Sequence, residues 1–147
     1  MLNDKQTAFL RRVTTLARRI APRYGIDWRV MAATAILESG WGESDLACEA
    51  HNLFGIRSFQ SAPGSNTFTI ESPEQGTLLF RRYESEEAAC HAYGRLVGLS
   101  ILYAPARIVA MERARKPFVE SLARTYCPAD PAYALKILQI LDLIERE

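Results

Sequence analysis

One stretch near the start of the chain limits most strongly what the chain can fold into. Residues 32–57 read AATAILESGWGESDLACEAHNLFGIR. Their first part is small and aliphatic on all sides, and a helix that is apolar all round is expected to be central and buried. That helix ends in a single acid, Glu38, and Ser39-Gly40-Trp41-Gly42 follows, where two glycines free the backbone to turn. The sequence therefore predicts a carboxylate at the end of a buried helix, beside a turn that carries Trp41.

A carboxylate in this position is suited to acid catalysis. Burial disfavours the charged form of Glu38 and raises its pKa, as a general acid at neutral pH requires. Trp41 offers an apolar wall or a flat face for a sugar ring. An isolated glutamate near a helix C-terminus is more often a solvated surface residue, so this hypothesis depends on the residues that follow.

The composition is that of an ordinary globular protein. The chain has 147 residues, of which 48% are apolar and 24% charged, and its net charge is +1. This length suits one domain with a substantial core. A net charge near zero does not favour nucleic acid or a membrane as partner, and no apolar run approaches the length of a transmembrane helix. Neither the three cysteines nor His51 and His91 show metal-ligand spacing, so we expect no metal and no cofactor.

The hydrophobic periodicity predicts an α+β domain that is mostly α-helical. Within residues 54–84, Thr67–Glu71 alternates at strand period and Thr77–Tyr83 is a second β-prone run, with turn residues between them. We therefore expect a small antiparallel hairpin inserted into one domain that spans residues 1–147. Helices are predicted after Asn3 or Asp4, from Trp28 to about Glu38, from Ser44 to about Ala50, after Ser85, around Ala106 to Ala114, from Pro117 to about Thr125, and after Asp130-Pro131.

Residues 33–57 resemble a family signature, ALLxESxWGxSxLA…NNLFGIK. It is typical of bacterial N-acetylglucosaminidases of the flagellar peptidoglycan hydrolase and autolysin type. The chain reads ATAILESGWGESDLACEAHNLFGIR, with His51 where the family often has its first Asn. The resemblance covers Trp28 to about Ala134. It implies a lysozyme-like fold, no cofactor, and endo-β-N-acetylglucosaminidase activity on the GlcNAc-β-1,4-MurNAc linkage of peptidoglycan.

The resemblance also implies three catalytic residues. Glu38 would protonate the leaving oxygen, and an acid of the hairpin would place or activate water, unless the substrate's own acetamido group assists. Glu71 matches that second acid better than Glu74, which falls in the expected turn. Tyr126 corresponds to a tyrosine important for activity, in a segment like Tyr-Ala-Thr-Asp-Pro-x-Tyr-Ala. The two residues after Tyr126, Cys-Pro here, depart from that pattern.

Four aromatic residues are candidates for binding the sugar chain. Aromatic faces pack well on pyranose rings, although Trp41, Phe54 and Tyr83 are equally compatible with a place in the core. Tyr133 is expected to serve packing more than chemistry. All four lie within or beside the segments that carry the resemblance.

Several alternatives stay open at this point. A muramidase would cut the other β-1,4 linkage, and a lytic transglycosylase would leave a 1,6-anhydro end without water. A helical module that binds cell wall or protein without catalysis is an alternative of another class. Charged residues at the N-terminus occupy the place of a signal peptide's apolar region. We therefore expect synthesis in the cytoplasm and delivery to the periplasm by a secretion system or a holin.

The biological role is predicted only by analogy. A phage lysin, a flagellar rod-assembly hydrolase and an effector of a type VI secretion system all fit a compact catalytic domain. The effector is favoured, because effectors of this kind are similarly compact and lack a signal peptide. An effector would imply a cognate immunity protein that occludes the groove.

Overall fold

A computed structural model describes residues 1–99 and 115–146, with side chains described from residue 118 in the second range. It is mostly helical, with one two-stranded antiparallel sheet, as predicted. The short helix predicted around Ala106 to Ala114 lies outside the described residues. In chain order the elements are α1 (Asp4–Ile20), a 3-10 helix (Ala21–Tyr24), α2 (Trp28–Ser39), α3 (Asp45–Ala50), β1 (Thr67–Ser72), β2 (Gly76–Arg81), α4 (Glu86–Leu99), α5 (Arg115–Tyr126) and α6 (Tyr133–Arg146).

Helix α2 is the centre of the domain, as its composition predicts. Every residue from Val30 to Ile36 is buried, and the helix packs against α1 on one side and α6 on another. The Asp27 carboxylate caps its N-terminus by accepting a hydrogen bond from the Arg29 amide, at 2.9 Å. A helix held on several sides gives the residues at its C-terminal end a fixed position.

The hairpin pairs β1 with β2 from Thr67 opposite Arg81 to Ser72 opposite Gly76. It is joined to the helical body through the segment that precedes it, where the Arg81 amide donates to the Ile56 carbonyl at 3.0 Å. The second strand was predicted to reach Tyr83 but ends at Arg81. The reason is that the Tyr83 amide leaves the hairpin and bonds to the Ala50 carbonyl at 2.8 Å.

The start of the last helix also differs from the prediction. Asp130 and Pro131 were expected to begin it, but the helix begins at Tyr133. The Asp130 carboxylate accepts a hydrogen bond from the Ala132 amide, at 2.9 Å, so these residues form a turn before the helix. The helix that follows carries Tyr133 and Lys136 on its first turn. Among the described residues, no helix is long and apolar enough to cross a membrane.

Candidate active site

The turn after α2 is fixed by its own hydrogen bonds and by positive φ angles. The buried Ser39 hydroxyl donates to the Ala35 carbonyl and accepts a hydrogen bond from the Gly42 amide at 2.8 Å. Gly40 ends the helix at φ +56°, and Trp41 follows at φ +61°, a region that costs a residue with a side chain about 1 kcal/mol or more. This turn holds Glu38, in the last turn of α2, at the surface of the core.

A second fixed segment, Asn52 to Ile56, faces this helix end. The buried Asn52 amide group donates to the carbonyls of Ile56 and Arg81, both at 2.9 Å. Its side-chain oxygen accepts from the amides of Phe54 and Ile56 at 3.2 and 3.1 Å. One buried side chain thus fixes the shape of the loop and ties it to the base of the hairpin. The sequence motif contains this asparagine, but its role was not predicted.

Gly55, in the middle of this loop, lies directly beside the candidate acid. Its φ is +66°, and a Cβ atom placed there would be 3.2 Å from Oε2 of Glu38. Glycine therefore serves two purposes at this position, because it adopts the left-handed conformation without strain and leaves room for the carboxylate. The loop and the end of α2 thus enclose one side of the Glu38 side chain.

The other side of Glu38 is formed by α6. The Tyr133 side chain is 3% exposed, and its buried hydroxyl lacks a hydrogen bond of ordinary geometry within the described part of the chain. It nevertheless lies close enough to Glu38 for each group to affect the other's pKa. Burial raises the pKa of Glu38, while Tyr133 and the positive charge of Lys136 oppose that rise. Burial and the charge of Glu38 raise the pKa of Tyr133, which therefore stays protonated.

Tyr126 connects the two sides of this environment. Its hydroxyl donates a hydrogen bond to the Phe54 carbonyl, in the loop next to Gly55. Its ring packs on Tyr133, with 6.0 Å between ring centroids, and lies edge-on to Tyr93 at 5.9 Å. The end of α5 is thus fixed to both the loop and α6, and the structure brings Glu38, Tyr126 and Tyr133 together.

An open groove of about 430 Å³ begins at the same loop. Gly55, Tyr126 and Tyr83 are among its lining residues. The Tyr83 ring is half-buried, and burial raises the pKa of its hydroxyl, against the opposing charges of Arg81 and Arg95. Of the four aromatic residues predicted to bind sugar, Tyr83 is thus the one that lines this groove.

The other three aromatic candidates are not among the lining residues of this groove. Phe54 is fully buried and stacks on Tyr93, with 4.4 Å between ring centroids. Its contribution near the site is therefore its carbonyl, while its ring belongs to the core. Trp41 is half-buried and packs against the core. Tyr133 is buried against Glu38 rather than open to the groove.

The structure does not bring the predicted second acid into contact with the first. Glu71 is exposed on β1 and accepts hydrogen bonds from the Thr77 hydroxyl opposite it, at 3.0 and 3.1 Å. Glu74 is exposed in the turn between the strands. Among the described residues, no contact joins either of them to Glu38.

Sequence reasoning missed several residues that line the groove. Arg57, Arg81, Arg95 and the 88% exposed Phe59 are among them. Arg57 and Arg81 stand inside the motifs that were noted, but only the fold shows that the three arginines share one wall. The available sequence signal for Phe59 was a large aromatic residue in an otherwise polar loop. Across the described residues, no cluster of three or more potential metal ligands occurs.

Comparisons with known proteins agree with this geometry. Residues 14–146 match the glucosaminidase family model, described as mannosyl-glycoprotein endo-beta-N-acetylglucosaminidase. The chain is 32% identical over 145 residues to the peptidoglycan hydrolase FlgJ of Pseudomonas aeruginosa, covering 90% of this chain and 35% of FlgJ. It is 29% identical over 145 residues to the exo-glucosaminidase LytG of Bacillus subtilis, covering 95% of this chain and 51% of LytG. The chain thus spans a third to a half of these relatives.

Solved structures share the fold. A peptidoglycan hydrolase from Sphingomonas sp. A1 is 27% identical, with a TM-score of 0.76, over 95% of this chain and 90% of that one. A type VI secretion system effector–immunity complex from Pseudomonas protegens contains a chain that is 17% identical, with a TM-score of 0.67, over 98% and 94%. The second likeness concerns the fold alone. From the family match over residues 14–146, the chain belongs to the glucosaminidase family of glycoside hydrolases.

Proposed function

We propose that this domain hydrolyses the glycan strands of bacterial peptidoglycan as an endo-β-N-acetylglucosaminidase. The observation that carries the proposal is the position of Glu38, a half-buried carboxyl with a raised pKa, held between Gly55 and Tyr133 beside the groove. The relatives described as peptidoglycan hydrolases support the choice of substrate. The bond to be cut joins C1 of an N-acetylglucosamine to O4 of the next N-acetylmuramic acid.

In the proposed reaction, Glu38 donates its proton to O4 as the C1–O4 bond breaks. Burial keeps the carboxyl protonated at a higher pH than an exposed glutamate would allow. Water adds to C1 and gives up a proton, so the products are a new glucosamine reducing end and a free O4 hydroxyl. The Tyr133 hydroxyl, protonated and adjacent, is placed to donate a hydrogen bond to the carboxylate that Glu38 becomes.

We assign Tyr126 a positioning role. Its hydroxyl donates to the Phe54 carbonyl, and its ring packs on Tyr133. The residue thereby fixes the distance between the loop that carries Gly55 and the helix that carries Tyr133. Its loss would act through the placement of Glu38. Its proximity to the groove also permits direct contact with the N-acetyl group of a bound sugar.

Glu71 is proposed as the second carboxylate, reaching the sugar when the hairpin closes on substrate. A two-stranded hairpin is only marginally rigid by itself, which allows such a movement. Glu71→Gln should lower turnover strongly, while Glu74→Gln, three residues later in the exposed turn, serves as the matched control. Equal turnover in these two variants would exclude Glu71 and favour assistance by the substrate's acetamido group.

Product analysis tests the proposed bond and mechanism together. Purified peptidoglycan is digested with wild type or Glu38→Gln, reduced with borohydride and examined by mass spectrometry. Glucosaminitol ends that depend on Glu38 support the glucosaminidase. Muramitol ends would indicate a muramidase, and anhydromuramic ends a lytic transglycosylase. No new ends from folded wild-type protein would contradict the enzymatic proposal and favour a binding module.

The sizes of early products decide between internal and terminal cleavage. The family model is described as an endo-acting enzyme, whereas the relative LytG is described as exo-acting. Internal cleavage should produce a broad range of fragment lengths early in digestion, while terminal cleavage would release small units from the start.

The place of action and the delivery route are proposed on the same basis. A cell-wall hydrolase of this kind acts in the periplasm, reached by a secretion system or a holin. The effector role remains a prediction, as does an immunity protein that covers the groove. Capture of a tight inhibitor encoded beside the gene, with loss of binding when groove residues such as Tyr83 and Arg95 are changed, would support both.

A further inference from the structure

Three arginines from separate segments meet along the groove. Arg57 follows the loop that carries Gly55, Arg81 ends β2, and Arg95 lies on α4. The described residues that line the groove include no aspartate or glutamate. The Arg57 guanidinium is held over the Phe80 ring at 5.0 Å from its centroid, with a hydrogen bond to Gln75 at 3.4 Å. The groove wall is therefore strongly positive although the chain's net charge is only +1.

Some arginines in the described part of the chain are paired with carboxylates, but these three are not. Within residues 1–99 and 118–146, none of the three forms an ion pair with a carboxylate. On the face where α1 meets α4, by contrast, Arg12 pairs with Glu86 at 2.6 Å and Arg19 with Glu87 at 3.1 Å. Like charges gathered on one wall, with no counter-charge among the described lining residues, oppose folding, and such a wall attracts an anionic ligand.

A buried hydroxyl group lies on the same wall. The Tyr83 hydroxyl is buried, and its approach to the Arg81 side chain is not a hydrogen bond of ordinary geometry. The charges of Arg81 and Arg95 are near enough to act on its pKa, which burial raises. Two guanidinium groups and a protonated hydroxyl thus lie close together beside the groove.

We propose that this wall binds a carboxylate of the substrate, so that the domain selects acidic glycan over neutral glycan of the same sugar sequence. Guanidinium groups bind carboxylates through paired N–H donors, which gives the contact direction as well as strength. The inference rests on the proposed function, because muramic acid carries its lactyl group near the bond to be cut. That group presents its own carboxylate in strands without peptides, and in intact strands it carries a peptide that has carboxylates.

The test compares strands that differ only in charge. Strands with peptides and strands stripped of peptides by an amidase are each prepared with carboxylates free or converted to methylamides. Dissociation constants are measured by calorimetry at low salt in a Glu38→Gln background, with Arg95→Gln as the test variant. Arg23→Gln is the matched control, because Arg23 is exposed on the 3-10 helix and does not line the groove.

The expected result is tighter binding of the free-carboxylate form, and a loss of that preference by about two- to fivefold in Arg95→Gln, as for one exposed ion pair. Arg23→Gln should keep the preference. If Arg95→Gln loses the preference only for strands stripped of peptides, the carboxylate that binds is the lactyl one. If it loses the preference only for intact strands, that carboxylate belongs to the peptide. Equal binding of free and amidated forms, or a preference that Arg95→Gln leaves intact, would overturn the inference.

Failure of the proposed function has a different signature. It would appear as wild-type protein that releases no reducing ends from any of these strands. The binding comparison does not depend on turnover, so failure of the carboxylate preference can be distinguished from failure of the proposed function.

Discussion

Replacing Gly55 by alanine tests whether the loop after α3 sets the position of Glu38. Gly55 has φ +66°, and an added Cβ would lie 3.2 Å from Oε2 of Glu38. The matched control is Gly25→Ala, because Gly25 has nearly the same φ of +69° but nothing within 4 Å of the added atom. Both variants therefore introduce the same backbone strain, and only Gly55→Ala introduces a contact with the candidate acid.

The sizes of the two effects follow from this geometry. A residue with a Cβ in the left-handed region costs about 1–2 kcal/mol, which lowers the melting temperature of a domain this long by about 2–8 °C. Both variants should show this loss. In Gly55→Ala the carboxylate must also move by a few tenths of an ångström. Since a displacement of about 1 Å can cost a hundredfold in rate, we expect a loss of about tenfold in kcat.

The measurements are thermal unfolding and release of reducing ends from peptidoglycan at saturating substrate. Gly25→Ala should retain wild-type kcat when assayed below its melting temperature. Wild-type kcat in Gly55→Ala would refute the view that Gly55 sets the position of Glu38. A loss of kcat in Gly25→Ala as large as in Gly55→Ala would trace the effect to backbone strain alone.

Four further predictions use the same structure. Glu38→Gln should gain stability relative to wild type as pH rises. The pKa of Glu38 is raised in the folded state, so the stability that the protonated Glu38 side chain contributes is complete below its unfolded pKa and is lost as pH rises through its folded pKa. Urea unfolding of both proteins at several pH values measures this difference. Asn52→Ala removes four hydrogen bonds of a buried side chain and should lower the free energy of unfolding by about 3 kcal/mol or more, whereas a loss under 1 kcal/mol would contradict its role. Tyr126→Phe leaves the Phe54 carbonyl without this donor and should cost about 1–2 kcal/mol of stability together with part of kcat; unchanged urea unfolding would contradict it. Phe59→Ala, at an 88% exposed position, should raise KM with unchanged melting temperature, and an unchanged KM would exclude contact with the sugar chain.

Much of the fold was predictable because its signals are local. The all-round apolar pattern of α2 predicted its burial, and strand alternation predicted the hairpin. The end of β2 was predicted two residues late, since the Tyr83 amide bonds to a carbonyl distant in sequence. The start of α6 was misplaced because Asp130 forms a turn by bonding to Ala132 instead of capping a helix at Pro131.

The candidate site was only partly predictable. Glu38 stood out because an acid follows an apolar helix and precedes a glycine-rich turn. The arrangement around it depends on contacts across the fold, such as the bond from Tyr126 to the loop and the burial of Tyr133. No local pattern places Arg57, Arg81 and Arg95 on one wall, since they lie on separate segments. The sequence therefore identified Glu38, whereas the contacts around Glu38 could be seen only in the folded structure.

The most direct test of the central claim is a titration of Glu38 alongside turnover. The carboxyl carbon of Glu38 is assigned by carbon-13 NMR through its absence in Glu38→Gln, and kcat is measured over the same pH range. The account predicts that Glu38 titrates above its usual pKa of 4.5, that kcat falls as Glu38 loses its proton, and that Glu38→Gln lowers kcat by about 10²- to 10⁴-fold. A Glu38 that titrates at its usual pKa, or a Glu38→Gln variant with wild-type kcat, would contradict it.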